Sequence, residues 1–244
     1  MLNHYLFKIT FTGIIRHYPV ISQETKRLLS SLSQKKNCRI AIISGRTLVD
    51  IKKRVGLKNI TYSGNHGFQI EESKIKNELT VPSGYKKVLQ RIKIQLKEKL
   101  SGIKGVFVED KKLSLALHFR LVDKRQLPFI KTVFHEITII YLVKNKIKVK
   151  SGKKVFEVRP PVQWDKGKAV LWLLARWVFA LKKENILPIY IGDDVTDEDA
   201  FKVLKRKGLT VFVGRPGDSK ADYYLKNTEE VTKFLRSILN LQYS

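Results

Sequence analysis

The chain has 244 residues, a single cysteine (Cys38), and 48 Lys and Arg against 22 Asp and Glu, for a formal net charge of +26. An apolar content of 43% supports a real core. One cysteine excludes an internal disulfide and fits a reducing compartment; no run of about 18 apolar residues offers a membrane span. The excess positive charge would draw phosphates, nucleic acid or anionic surfaces. Its lysines are scattered over Lys86-Lys87, Lys93 to Lys99, Lys144 to Lys154 and Lys202 to Lys207, with no aromatic–basic recognition motif. They read as a solvated surface, and no specific nucleic-acid partner and no membrane partner are expected. Lys8 interrupts the first apolar stretch and no small-residue cleavage pattern follows, so no signal peptide and a cytoplasmic location are expected.

In chain order, Tyr5 to Phe11 predicts a buried strand ending at Thr12-Gly13. Ser22 is a candidate N-cap, with Glu24 in the first turn of a helix whose apolar face is Leu28, Leu29 and Leu32. Arg39 to Ile43 predicts a second strand, beginning beside Cys38 and closed by Ser44-Gly45-Arg46. A helix marked by Leu48, Ile51 and Val55 follows, then a third strand, Ile60 to Tyr62, ending at Ser63-Gly64-Asn65-His66-Gly67. Strand, helix, strand, helix, strand is the pattern of a parallel sheet, in which ligands bind beyond the carboxyl ends of the strands.

The pattern changes after the turn-rich Val81-Pro82-Ser83-Gly84. A basic amphipathic helix over Tyr85 to Leu100, strands at Val106 to Val108 and Leu113 to Phe119, a helix within Lys124 to Tyr141, and strands at Lys146 to Lys150 and Val155 to Val158 make a small α+β insert. It closes at Arg159-Pro160-Pro161, so the domains are expected at 1–81 with 160–244, and at 82–159. The parallel pattern resumes with a long helix carrying Leu171, Leu174, Trp177 and Val178. Then come a strand over Leu187 to Ile191, another over Leu209 to Val213, and a last helix with Thr228 as its cap and Val231, Leu235 and Ile238 inside.

Directly after the Leu187–Ile191 strand, Gly192-Asp193-Asp194-Val195-Thr196-Asp197-Glu198-Asp199 puts five carboxylates into seven residues. Crowded acids with oxygen-only ligands suit Mg²⁺, which binds through one or two carboxylates plus substrate phosphate. An acidic first turn stabilised by the helix dipole gives the same pattern. Ser44 and Lys166 could hold a phosphoryl group, the hydroxyl beside free backbone N–H groups and the ammonium as a point charge; they read equally as a helix cap and a surface lysine.

Taken together, Ile43-Ser44-Gly45-Arg46, Ser63-Gly64-Asn65-His66-Gly67, Val108-Glu109-Asp110-Lys111, His118-Phe119-Arg120, Glu157-Val158-Arg159-Pro160, Asp165-Lys166-Gly167-Lys168-Ala169 and Gly192-Asp193-Asp194-Val195-Thr196-Asp197-Glu198 resemble trehalose-6-phosphate phosphatases of the haloacid dehalogenase-like superfamily. The resemblance spans essentially the whole chain. It implies an α/β fold with a Rossmann-like parallel-sheet core and an inserted α+β cap. It also implies a Mg²⁺-dependent phosphatase that acts on trehalose 6-phosphate through an aspartyl-phosphate, with a trehalose-phosphate synthase as a partner. By the same resemblance, Ser44 binds phosphate and Lys166 neutralises phosphate and nucleophile. Asp193 is the main metal ligand, with Asp194 and Asp197 near it. Arg46, Asn65 and His66 lie near the phosphate and sugar, while Glu109, Lys111, Arg120 and Glu157 grip the sugar hydroxyls.

One motif departs from the family. Thr10-Phe11-Thr12-Gly13-Ile14 falls where the family has Asp-x-Asp-Gly-Thr, so Thr10 and Thr12 replace the nucleophile and the acid/base. The first acid in the chain is Glu24, well past this loop. A threonine hydroxyl without a neighbouring base is a poor nucleophile, and loss of the nucleophile from a coupled unit costs on the order of 10⁴–10⁶ in rate. The expectations are therefore a phosphatase-like protein with impaired turnover and a weakened Mg²⁺ site, or a non-catalytic sugar-phosphate-binding or regulatory subunit of trehalose synthesis.

Overall fold

The computed structural model describes residues 21–72, 75–181, 186–215 and 217–241, and the backbone of 6–11. The chain divides into two compact units, Met1–Glu78 with Trp164–Ser244, and Leu79–Gln163 inserted between them. From the N-terminus run β1 (Leu6–Phe11), α1 (Gln23–Gln34), β2 (Cys38–Ile43), α2 (Leu48–Val55), β3 (Thr61–Gly64), β4 (Gln69–Glu72) and β5 (Ile75–Glu78). The inserted unit contributes α3 (Tyr85–Lys99), β6 (Phe107–Asp110), β7 (Leu115–His118), α4 (Leu127–Val143), β8 (Lys148–Gly152) and β9 (Val155–Arg159). The first unit resumes with α5 (Lys166–Leu181), β10 (Ile186–Gly192), α6 (Glu198–Leu204), β11 (Leu209–Val213), β12 (Tyr223–Leu225) and α7 (Thr228–Asn240).

Among the described residues the first unit holds an eight-stranded sheet in the order β12-β11-β10-β1-β2-β3-β4-β5. Strands β12 to β3 pair in parallel, and β4 and β5 extend that edge antiparallel. The apolar run of β2 is explained by burial on both faces. Ile40 and Ile42 enter one core with Leu28, Leu29, Ile51 and Leu235. Ala41 and Ile43 enter another with Val170, Leu173, Tyr190 and Phe201. Cys38 is buried at the start of β2. Strand β1 lies between β10 and β2, with Thr10 in register with Tyr190 on one side and Ala41 on the other. The loops leaving β2 and β10 thus flank the end of β1, the position where open α/β sheets place their ligands.

In the inserted unit, β6-β7-β9-β8 form an antiparallel sheet. Leu115, Leu117 and Val158 pack with Val88, Ile92 and Leu96 of α3 and Ile130 and Phe134 of α4. Successive strand residues alternate faces, so Glu109, Ala116, Glu157 and Lys150, aligned across the four strands, lie on the face away from these helices.

Several expectations shift. Ser22 caps α1 as predicted, its side chain accepting from the Thr25 N–H. The last helix is capped instead by Asn227, whose side chain accepts from the N–H groups of Glu229 and Glu230, with Thr228 already helical. Leu171 and Val178 are not core positions: they are 38% and 39% exposed, while Ala169, Val170, Leu173 and Trp177 are buried. Helix α5 is apolar nearly all round, so periodicity there does not single out the packed face. Strands β4, β5 and β12 were not expected; the first two are too polar, and β12 too short, to register as apolar runs.

Candidate functional site

The turn after β2 is stitched to the turn after β3. The Ser44 N–H donates to the Ser63 carbonyl at 2.9 Å, the His66 N–H to the Ser44 carbonyl at 2.8 Å, and the Asn65 N–H to the Arg46 carbonyl at 2.7 Å. Asn65 and His66 both take left-handed backbone, with φ of 51° and 57°. That conformation lays the His66 ring over Gly45, where a Cβ would collide with it. Ser44, Arg46, Asn65 and His66 are thus gathered by backbone geometry at the carboxyl ends of β2 and β3. The Ser44 Oγ accepts from the Arg46 N–H at 3.2 Å. The buried Asn65 donates from Nδ2 to Gln69 Oε1 at 3.0 Å. The Arg46 guanidinium donates to Asp50 Oδ2 at 3.1 Å, and Arg54 Nε donates to both Asp50 oxygens. Partial burial pulls the Asp50 carboxyl upward, but its bonds to Arg54 and Arg46 and their charges outweigh this and hold it below its ordinary value.

The acidic segment after β10 is organised by Asp197, which is fully buried. Its Oδ1 accepts from Tyr190 Oη at 2.7 Å and from Lys166 Nζ at 2.8 Å. Its Oδ2 accepts from the backbone N–H groups of Asp193 at 3.1 Å and Asp194 at 2.9 Å. Gly192 is required here, because a Cβ would strike the Asp197 carboxylate. Asp193 and Asp194 are half-buried in the loop this carboxylate shapes. Glu198 faces elsewhere and holds the next loop, accepting from Ser219 Oγ and the Lys220 N–H.

The sequence expectation put Lys166 on phosphate and Asp197 near a metal; the structure places them against each other. The Asp194 side chain caps the short 3₁₀ turn that follows, accepting from the Asp197 N–H. Among the described residues no three Asp, Glu, His or Cys side chains converge as a metal site. Thr10, on β1, is described by its backbone, and Thr12 lies outside the described residues. The described residues supply Asp193 and Asp194, and Mg²⁺ commonly takes one or two carboxylates with substrate phosphate and water completing its six oxygens.

In the inserted unit a line of alternating charge crosses the helix-free sheet face. Glu157, buried on β9, accepts from Lys111 Nζ at 3.2 Å and Ser114 Oγ at 3.3 Å through Oε1, and from the Arg159 guanidinium through Oε2. Lys111 Nζ also lies 3.9 Å from Glu109 Oε2. The same Glu109 oxygen accepts from His118 Nε2 at 2.9 Å. That hydrogen bond, opposed by burial and helped by the Lys111 charge, holds the Glu109 carboxyl below its ordinary value. Arg120 lies outside this line, exposed in the turn after β7. Tyr190, Ser114, His118 and Arg159 had no assigned role in the sequence. Tyr190 is masked by its apolar strand, Ser114 and His118 become visible only through antiparallel pairing, and Arg159 lies two residues along β9 from the Glu157 it holds.

A family model described as Trehalose-phosphatase matches residues 10–229. The chain belongs to the trehalose-phosphatase family. It is 33% identical over 231 residues to trehalose-phosphate phosphatase B of Arabidopsis thaliana, covering 90% of this chain and 60% of that protein. It is 34% identical over 211 residues to the trehalose-phosphate phosphatase of Mycobacterium marinum, covering 81% and 50%. The chain thus spans about half to two-thirds of the length of the curated relatives it matches. In fold it is similar to the C-terminal domain of Candida albicans trehalose-6-phosphate phosphatase, with a TM-score of 0.77 at 24% identity, covering 98% of this chain and 94% of that one. It is also similar to the C-terminal domain of the C. albicans trehalose synthase regulatory protein, with a TM-score of 0.72 at 16% identity and coverages of 93% and 92%. The fold these structures share with the chain is a mixed α/β one, with a largely parallel sheet in the first unit.

Proposed function

We propose that this trehalose-phosphatase-family chain binds a sugar phosphate, trehalose 6-phosphate by analogy with its relatives, and turns it over poorly or not at all. Ser44, Arg46, Asn65, His66 and Lys166 serve the phosphate end, and Glu109, Lys111, Arg120 and Glu157 of the inserted unit serve the sugar. The observation that carries this reading is the register of β1. Thr10 sits on the strand flanked by the Ser44 and Asp193 loops, and it brings a hydroxyl where the family reaction needs a carboxylate nucleophile. With threonine also at the acid/base position, Thr12, neither of the two motif positions carries a carboxylate to attack phosphorus or take a proton from water. Both hydroxyls remain hydrogen-bond donors, and the loss of two negative charges makes the loop more hospitable to an anion.

Mg²⁺ supplies charge compensation at phosphate in phosphatases of this kind. Here Asp193, with Asp194 beside it, would hold it weakly, and no step is assigned to it. The likeness in fold to the C. albicans regulatory protein domain supports a second reading, a non-catalytic sugar-phosphate sensor in the cytoplasm attached to a trehalose-phosphate synthase.

The test pairs two measurements on the purified chain. Calorimetry with trehalose 6-phosphate should show saturable binding; no heat at millimolar ligand rejects the reading. Phosphate release from the same compound with Mg²⁺ should stay near a heat-treated control. Release at rates ordinary for an enzyme, about 1 s⁻¹ or more, rejects impaired turnover.

A further inference from the structure

The two cap acids differ in one respect that decides their work. Both oxygens of Glu157 are engaged, by Lys111, Ser114 and the Arg159 fork. It is a buried support that fixes the Lys111 ammonium. Glu109 is held through Oε2 alone, by His118 Nε2 at 2.9 Å and by Lys111 Nζ at 3.9 Å. Its side chain is 36% exposed, and that of His118 40%. Among the described residues none donates to Glu109 Oε1. The His118 ring is itself braced against Phe107, stacked at 6.0 Å between centroids and 29° between planes. The two rings are cross-strand neighbours on β6 and β7, two residues along from the Glu109–Ala116 pair.

We propose that His118 is a positioning residue for sugar recognition: its Nε2–H pins one oxygen of Glu109 so that Oε1 is presented to a sugar hydroxyl. This rests on the sugar-phosphate reading above. Glu109, on an edge strand of its sheet, would otherwise sample several rotamers and lose entropy on binding. A carboxylate already held by one charge-assisted bond meets a hydroxyl at lower entropic cost, with its second oxygen still an acceptor. Phe107 fixes the ring plane and so the direction of the N–H. The pair acts on the sugar and not on phosphate, so a deficit should appear for trehalose 6-phosphate and not for inorganic phosphate.

The experiment titrates wild type, His118→Phe, His118→Gln and Glu109→Ala with trehalose 6-phosphate and, separately, with inorganic phosphate. His118→Phe keeps the stacking and removes the donor; it should weaken trehalose 6-phosphate binding about tenfold and leave phosphate affinity unchanged. His118→Gln restores an N–H donor and should recover most of the loss. A carbon-detected NMR titration of Glu109 gives a readout independent of ligand: its carboxyl should titrate higher in His118→Phe than in wild type. The inference is overturned if His118→Phe binds trehalose 6-phosphate like wild type while Glu109→Ala does not. It is equally overturned if His118→Gln is as weak as His118→Phe, or if phosphate affinity falls in parallel. If wild type itself does not bind trehalose 6-phosphate, the sugar-phosphate reading fails and this inference falls with it; the Glu109 titration still shows whether His118 grips the carboxylate.

Discussion

Lys166 Nζ lies 2.8 Å from Asp197 Oδ1, with side-chain exposures of 5% and 0%. The pair is completed by Tyr190 Oη on the same oxygen and two backbone N–H groups on the other. Removing one partner of a buried, hydrogen-bonded pair leaves an uncompensated charge, which costs more than the pair is worth. Lys166→Met should therefore lower the unfolding free energy by about 3–5 kcal/mol, measured by urea denaturation. Tyr190→Phe removes a neutral donor from an oxygen that keeps Lys166, and should cost about 1–2 kcal/mol. A Lys166→Met variant as stable as wild type would mean that the pair does not hold the Asp193–Asp194 loop.

Gly192 supplies a second check on the same loop. A methyl there would overlap the Asp197 carboxylate, which is anchored on four donors and has little room to retreat. Gly192→Ala should cost about 1–3 kcal/mol by overpacking. Gly102, where an added Cβ meets nothing within 4 Å, is the control, and Gly102→Ala should leave the melting temperature essentially unchanged. Equal melting curves for the two variants would remove steric necessity as the reason for glycine at 192.

Local chemistry made part of this molecule legible in its sequence. Ser22, the apolar run of β2 and the cluster of acids after β10 each announce themselves within a few residues, because caps, buried strands and strand-end loops have short-range signatures. Asn227 and Thr228 are neighbouring candidates, and the better capping residue, Asn227, takes the position. The misread face of α5 has a different origin: Leu171 and Leu173 are the same residue type, and only the sheet distinguishes them. The internal use of Asp197 was hidden more deeply. It depends on Tyr190 and Lys166 arriving from different elements, and the acid string alone gives five equivalent carboxylates. The His118–Glu109 bond depends on antiparallel register, set when Phe107 pairs with His118.

Asp50 gives the chain a specific acid sensitivity. Burial raises its carboxyl, the bonds and charges of Arg54 and Arg46 lower it, and the net position is below the ordinary 3.8. A folded-state value below the unfolded one means that Asp50 stabilises the fold above about pH 4 and that this contribution fades as pH falls through the folded value. Its side chain is one-third exposed, so the contribution is modest. Asp50→Asn should flatten the fall in stability between about pH 4 and pH 2, followed by urea unfolding at each pH. An acid limb as steep as that of wild type would show that other carboxylates dominate it.

The β1 loop offers the most direct functional test. Thr10→Asp with Thr12→Asp would restore both carboxylates of the motif, the first of them on the strand that runs between β2 and β10. The first would supply a nucleophile and a further oxygen for a cation beside Asp193; the second would supply the acid/base. Ser44 already sits at the end of β2, and Lys166, at the start of α5, reaches the loop after β10 through Asp197. Phosphate release from trehalose 6-phosphate in Mg²⁺ should rise about 10²-fold or more over the parent chain. Thr12→Asp alone, with no nucleophile, should give little, since the two groups act as a unit. Added carboxylates also repel an anion where no cation is bound, so the double variant should bind inorganic phosphate more weakly than the parent without Mg²⁺ and recover when Mg²⁺ is added. A double variant that folds, binds trehalose 6-phosphate and Mg²⁺, and remains inert would place the defect beyond this loop, in the groups that orient the substrate against it.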